Sequence, residues 1–132
     1  MVLATADADG RPWASPVYYA HDAYRQFVWV SAPDATHSQN IAARPDVSIV
    51  IFDSRVPINS GQAVYMSAVA AEVTGEDREQ LVETFSKRSQ QHGAGAWTIA
   101  DVETPARLRL YVASVDEQFV LGDGDQRISV SL

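Results

Sequence analysis

His37 is one of only 3 histidines in the chain, and it stands at the head of a short segment in SAPDATHSQNIAARPDVSIVIFD (Ser31 to Asp53). The residues before it read as the end of a strand and those after it as a helix. A strand that runs straight into a helix start leaves backbone N–H groups aimed outward, a natural seat for an anion. Thr36 followed three residues later by Gln39 matches a capping box, which places Thr36 at the N-cap. The N–H groups of His37, Ser38 and Gln39 then lack intrahelical partners. Ser31 could add a hydroxyl, His37 a positive charge against a dianion, and Asn40, one turn in, a further polar group. An ordinary capped surface helix with a solvated histidine explains the same residues, and on their types alone the two readings are level.

A second group lies in PWASPVYYAH. If it is one strand, Trp13, Ser15, Val17 and Tyr19 share one face, and Ala14, Pro16, Tyr18 and Ala20 the other. Pro16 cannot donate to a ladder, so the strand is an edge there or is bulged. That irregularity could free backbone groups to face a planar ring, although plain core packing is the stronger reading of these aromatics.

Other chemistries find little support. His21, His37 and His92 have no second ligand at helical or hairpin spacing, and with no cysteine neither a zinc site nor a thiolate nucleophile is expected. No G-x-S-x-G elbow exists, and Ser38 is only the sequence neighbour of His37. HGAGAW follows a helix and opens none, the wrong context for a phosphate loop, so it reads as a flexible turn. Acidic residues outnumber basic ones 17 to 10, for a net charge of −7. Without a Lys/Arg cluster, nucleic acid is a poor partner.

The elements that must position these residues follow from local signals. MVLATA, PWASPVYYAH and QFVWVSA read as a three-stranded meander. Ile41 and Ala42 face inward from the short helix, which Pro45 ends by pushing Arg44 out of the helical region. VSIVIF (Val47 to Phe52) suits burial on both faces, and QAVYMSAVAAEV (Gln62 to Val73) has two apolar faces, as in a closed barrel or a subunit interface. A longer helix from Glu76 to His92 buries Leu81, Val82, Phe85 and Ser89, with Gly93 as its C-cap residue. ARLRLYVASV and EQFVLG make a final hairpin.

At 132 residues and 46% hydrophobic content, the chain is expected to form one domain, residues 1–132, with a substantial core. It has neither a membrane-span-length apolar run nor a signal-peptide pattern, so no membrane partner and a cytoplasmic location are expected. The fold expected from the element order is a small barrel with helical decorations.

The order LATADADGRPWASPVYYAHD, FVWVSAPDATHSQNIAARPDVSIVIFD, GQAVYMSAVAAEV resembles the pyridoxamine 5′-phosphate oxidase-like family of FMN-binding split barrels. The most specific part is the strand followed by S-x-x-x-x-T-H-x-x-N-I and then R-P-D-V. The resemblance implies a mainly β fold, a six-stranded antiparallel split barrel with two to three helices, forming a homodimer with FMN in the subunit interface. It implies that Ser31, Thr36, His37 and Asn40 hold the flavin phosphate and that Ser15, Pro16, Val17 and Tyr18 run along the isoalloxazine ring. Gln62 and Trp97 are its candidates for closing over the ring from the partner subunit.

The chain departs from the family pattern in three places. His37 stands where a lysine is common. No helix precedes the first strand. The sequence ends at RISVSL without the tryptophan and Arg-Leu-x-Pro ending of true pyridoxamine phosphate oxidases, so pyridoxamine phosphate is not the expected substrate. The function implied is an FMN-dependent oxidoreductase that passes hydride through the flavin ring to an unassigned small molecule, with no catalytic side chain identified. The alternatives are a deazaflavin-dependent reductase and a non-catalytic flavin- or haem-binding barrel, with His21 or His92 as an axial haem ligand.

Overall fold

The computed structural model describes residues 1–131. Eight antiparallel strands form one sheet: β1 (Val2–Ala6), β2 (Pro12–Pro16), β3 (Ala20–Asp22), β4 (Gln26–Ser31), β5 (Asp46–Phe52), β6 (Ala63–Glu72), β7 (Arg109–Leu121) and β8 (Arg127–Val130). Their order is β2-β1-β5-β6-β7-β4-β3, with β8 beside β7. The helices are α1 (Thr36–Ala43) and α2 (Arg78–Gln91), with two short 3₁₀ turns further on at Ile99–Asp101 and Asp123–Asp125. The fold is thus the expected mainly β barrel, with eight strands where six were anticipated. Two of them, β3 and β8, are only 3 and 4 residues long.

The barrel closes where the expected meander breaks. PWASPVYYAH is not one strand, because Pro16 ends β2, which pairs with β1, while β3 restarts at Ala20 and pairs with β4. These two strands are the opposite edges of the sheet, yet only Val17, Tyr18 and Tyr19 separate them. Four residue steps span at most about 14 Å, so the two edges are drawn together into a seam. At its start Val17 extends the β1–β2 ladder by one pair, its N–H donating to Met1 O and the terminal amine donating to Val17 O, both at 3.0 Å.

Residues alternate between two cores. Leu3, Phe27, Trp29, Ile49, Met66, Ala68, Ala70, Tyr111 and Ala113 fill the barrel interior, closed at one end by Ile41 of α1. Val28, Leu110 and Val112 point the other way, against Leu81, Val82 and Phe85 of α2. Several local expectations change. Ala42 is exposed, and the inward residues of α1 are Ser38, Asn40 and Ile41. VSIVIF alternates, burying Val47 and Ile49 while Ser48 and Phe52 face out. Ser86 takes the inward place expected of Ser89. Gly93 adopts φ +78, as expected just past a helix end.

The expected final hairpin is instead one 13-residue strand. It runs past β4 from Arg109 to Ser114 and, beyond an irregularity opposite Ser67 and Ala68, beside β8 from Gln118 to Leu121. A bulge of that kind bends a strand without ending it, which lets β7 change partners.

Candidate functional site

The strand-to-helix turn forms, one residue earlier than its sequence suggests. Ala35 is the N-cap, with no side-chain cap bond, and the Gln39 N–H already donates to Ala35 O at 3.0 Å. The Thr36–Gln39 capping box is therefore absent. The three N–H groups left without intrahelical partners belong to Thr36, His37 and Ser38, in place of the set ending at Gln39.

Around that turn the structure brings Ser31 and His37 together, with His37 Nε2 2.8 Å from Ser31 Oγ. Half-burial lowers the His37 pKa below its ordinary value of 6.5. Burial thus favours the neutral imidazole, and a neighbouring anion would favour the charged form. Ser38 is buried, and its Oγ makes no well-formed hydrogen bond. The Tyr111 phenol lies beside it, its pKa raised by burial and lowered in part by that same hydroxyl. Asn40 is turned elsewhere: its Nδ2 donates to Thr5 Oγ1 at 3.0 Å, pinning α1 to β1.

The seam brings the second group together in part. Ser15 is buried and accepts a hydrogen bond from Trp13 Nε1 at 3.1 Å. Pro16 is exposed at the end of β2, Val17 is half-buried, and Tyr18 is 93% exposed. Beside the seam lies a cavity of about 510 Å³ whose lining includes Val17, Tyr18, Phe85, Arg88, His92 and Trp97. HGAGAW is more ordered than expected: Trp97 packs edge-on to Phe85, its N–H donates to Ser86 Oγ at 2.8 Å and its Nε1 to Ser89 Oγ at 3.2 Å. Trp97 thus lines one cavity with Val17 and Tyr18 of its own chain. Gln62 does not; it lines a separate open depression at the far end of the β5–β6 hairpin.

Two polar residues, Arg88 and Arg109, escaped the sequence reading, and His92 entered it only as a possible haem ligand. Arg88 and His92 come to the cavity from the last turn and end of α2. Arg109 pairs with Ser31 across β4 and β7, a register no local pattern reveals. His21 stacks on Tyr24, with centroids 4.1 Å apart, and its buried Nδ1 has no partner. Burial lowers its pKa, the Arg88 charge adds to this, and Asp22 opposes both. No cluster of three metal-ligating side chains exists among the described residues, and no described helix is long and apolar enough to cross a membrane.

A family model described as pyridoxamine 5′-phosphate oxidase matches residues 1–120. No curated protein matches the chain. Among solved structures, a heme binding protein from Mycobacterium smegmatis is similar with a TM-score of 0.74 and 21% identity, over 98% of this chain and 51% of that one. The heme storage protein HutZ from Vibrio cholerae gives 0.72 and 22%, over 90% and 83%. A putative pyridoxamine 5′-phosphate oxidase from Listeria innocua gives 0.65 and 14%, over 91% and 86%. At these identities the likeness is one of fold, and the chain spans about half the length of the Mycobacterium protein.

Proposed function

The chain belongs to the pyridoxamine 5′-phosphate oxidase family, and from that premise we propose that it binds FMN and works as a flavin-dependent oxidoreductase on a small molecule. The observation that carries the reading is the start of α1, where the Ser31–His37 pair stands 2.8 Å apart beside three N–H groups without helical partners. The buried Ser38 hydroxyl, lacking a well-formed bond, adds a donor of the kind a phosphate accepts. These groups fit a phosphate ester, and the seam and cavity fit the planar ring.

When bound, FMN supplies hydride transfer at its ring. The residues of this chain bind and orient it. Thr36, His37 and Ser38 hold the phosphate, with Ser31 fixing the His37 ring. Ser15 to Tyr18 lie along the isoalloxazine, while Tyr18 and Trp97 exclude water from it. Beside the ring, the cavity leaves space where Arg88 and His92 can receive an anionic group of the substrate. In this reading two copies of the chain pair, and Gln62 reaches the flavin of the partner subunit. Phe52, Val56 and Ile58, all exposed around the β5–β6 hairpin end, supply apolar surface for that contact.

A second reading is haem binding without turnover. Two structures of this fold are a heme binding and a heme storage protein, and the aromatic cavity, with His92 in its lining, offers apolar walls and a nitrogen ligand. One titration followed by visible absorbance separates them. Shifted flavin bands with FMN, and bleaching on addition of a nicotinamide donor, support the oxidoreductase. A response to a deazaflavin alone keeps the fold and changes the cofactor. A sharp Soret band with haemin and no flavin response overturns the flavin reading.

A further inference from the structure

The anion site at α1 carries no lysine, and its histidine gains charge only by taking up a proton, so a permanent cation for a dianion comes from another element. We propose that Arg109 is that cation: a direct phosphate-binding residue brought in from β7. This rests on the phosphate reading of the α1 turn and adds a residue to it.

The placement follows from the ladder. Arg109 is the register partner of Ser31, and paired residues of an antiparallel ladder project on the same face, with Cβ atoms about 4.5–5.5 Å apart. That face is the α1 side, since Trp29 and Tyr111, two residues along each strand, both belong to the interior core closed by Ile41. Ser31 uses its side of the pair to meet His37. Arg109 stands beside it.

A guanidinium has five N–H donors. Nη1 donates to Ala106 O at 2.6 Å and to Leu108 O at 2.7 Å, and Nη2 donates to Thr104 Oγ1 at 3.0 Å. These bonds hold the group at the root of β7 and occupy three donors. The Nε–H and one Nη2–H remain. The Nε–H faces Glu72, but Oε1 is 3.8 Å away, too long for a hydrogen bond. The Arg109–Glu72 pair is an open ion pair, and among the described residues no hydrogen bond from Nε to a protein group closes it. A phosphate at the α1 turn can take up the two donors left by these bonds, and Glu72 then acts as a competing negative charge.

The experiment compares FMN with riboflavin, which has the same ring and no phosphate, by fluorescence titration of the whole chain. The ratio of their dissociation constants isolates the phosphate contribution, and a general loss of stability affects both ligands alike. Arg109→Gln is expected to lower the preference for FMN about tenfold, with Arg109→Lys retaining part of it. Glu72→Gln is expected to raise that preference about threefold, where a role confined to bracing Arg109 predicts a fall. Should Arg109→Gln fail to fold, Arg109→Lys and Glu72→Gln still decide the matter. An unchanged ratio in Arg109→Lys together with an unchanged or lowered ratio in Glu72→Gln overturns the assignment. Equal affinity of the wild-type chain for FMN and riboflavin overturns it too, and marks the phosphate reading itself as the failure.

Discussion

Binding of FMN is expected to draw a proton onto His37, which makes its affinity depend on pH in a calculable way. In the structure, burial holds the His37 pKa below 6.5. A phosphate dianion within about 4–6 Å favours the charged imidazolium and raises the pKa, by the same rule that shifts paired carboxylates by about 1–3 units. Each unit of separation between the free and bound values is about 1.36 kcal/mol of coupling. A separation of one to two units therefore strengthens binding about ten- to a hundredfold. The sign is fixed by proton uptake: above the bound-state pKa neither form is protonated and the gain is absent, and it grows as pH falls toward the free-state pKa. The useful window runs from pH 8.5 to 6.5, because the phosphate itself takes up a proton near pH 6. Calorimetric titration in two buffers of different ionisation enthalpy counts the protons directly. Wild-type protein should take up a fraction of a proton at pH 7, and His37→Gln none. The same uptake in both proteins, or a FMN affinity flat between pH 8.5 and 6.5, would refute the reasoning.

The unliganded protein should show the opposite side of the same linkage. His21 and His37 both have pKa values lowered in the fold, so the unfolded chain takes up protons first as pH drops through 6.5, and stability is lost there. In thermal melts from pH 8 to 5.5, His37→Gln should lose less stability than wild type; an identical slope would remove His37 from the account. Asn40→Ala deletes the buried amide that donates to Thr5 and should cost about 1–3 kcal/mol in denaturant unfolding, with Thr5→Val coupled to it in a double-mutant cycle. Tyr18→Ala, at a side chain 93% exposed, should change stability by less than about 0.5 kcal/mol. It should nevertheless weaken FMN by about 0.5–1.5 kcal/mol through lost ring contact, and unchanged FMN affinity would place the ring away from the seam.

What could be read from the sequence is what short-range chemistry determines. Arg44, the residue before Pro45, is extended with φ −142, and α1 ends there as read. Gly93 takes the positive φ that its place after α2 suggests. The Ser31–His37 meeting was legible because a strand end and a helix start only six residues apart can close on one another with a single turn. Thr36 failed as a cap because the helix begins one residue earlier, with Ala35 extended at φ −66 and ψ 144 as the N-cap and no side-chain cap bond. Pro16 was seen to interrupt a ladder, but no local rule says that the strand after it crosses to the opposite edge of the sheet. That is a property of how eight strands close.

The same limit hid Arg109 and Arg88 and left His92 without a place in the phosphate and ring site. The position of each depends on pairing across 70 or more positions of sequence: Arg109 through its register with Ser31, Arg88 and His92 through the docking of α2 beside Val17 and Tyr18. The spacing of these residues carries no signal, because a barrel brings its site together from strand registers and helix docking. Patterning over three or four residues is blind to both. A site of this kind has one local half, the helix start, and one global half, the cations and walls around it. The Arg109→Gln and His37→Gln variants probe one member of each, and their effects on the FMN-to-riboflavin ratio should be coupled if both touch one phosphate and additive if they do not.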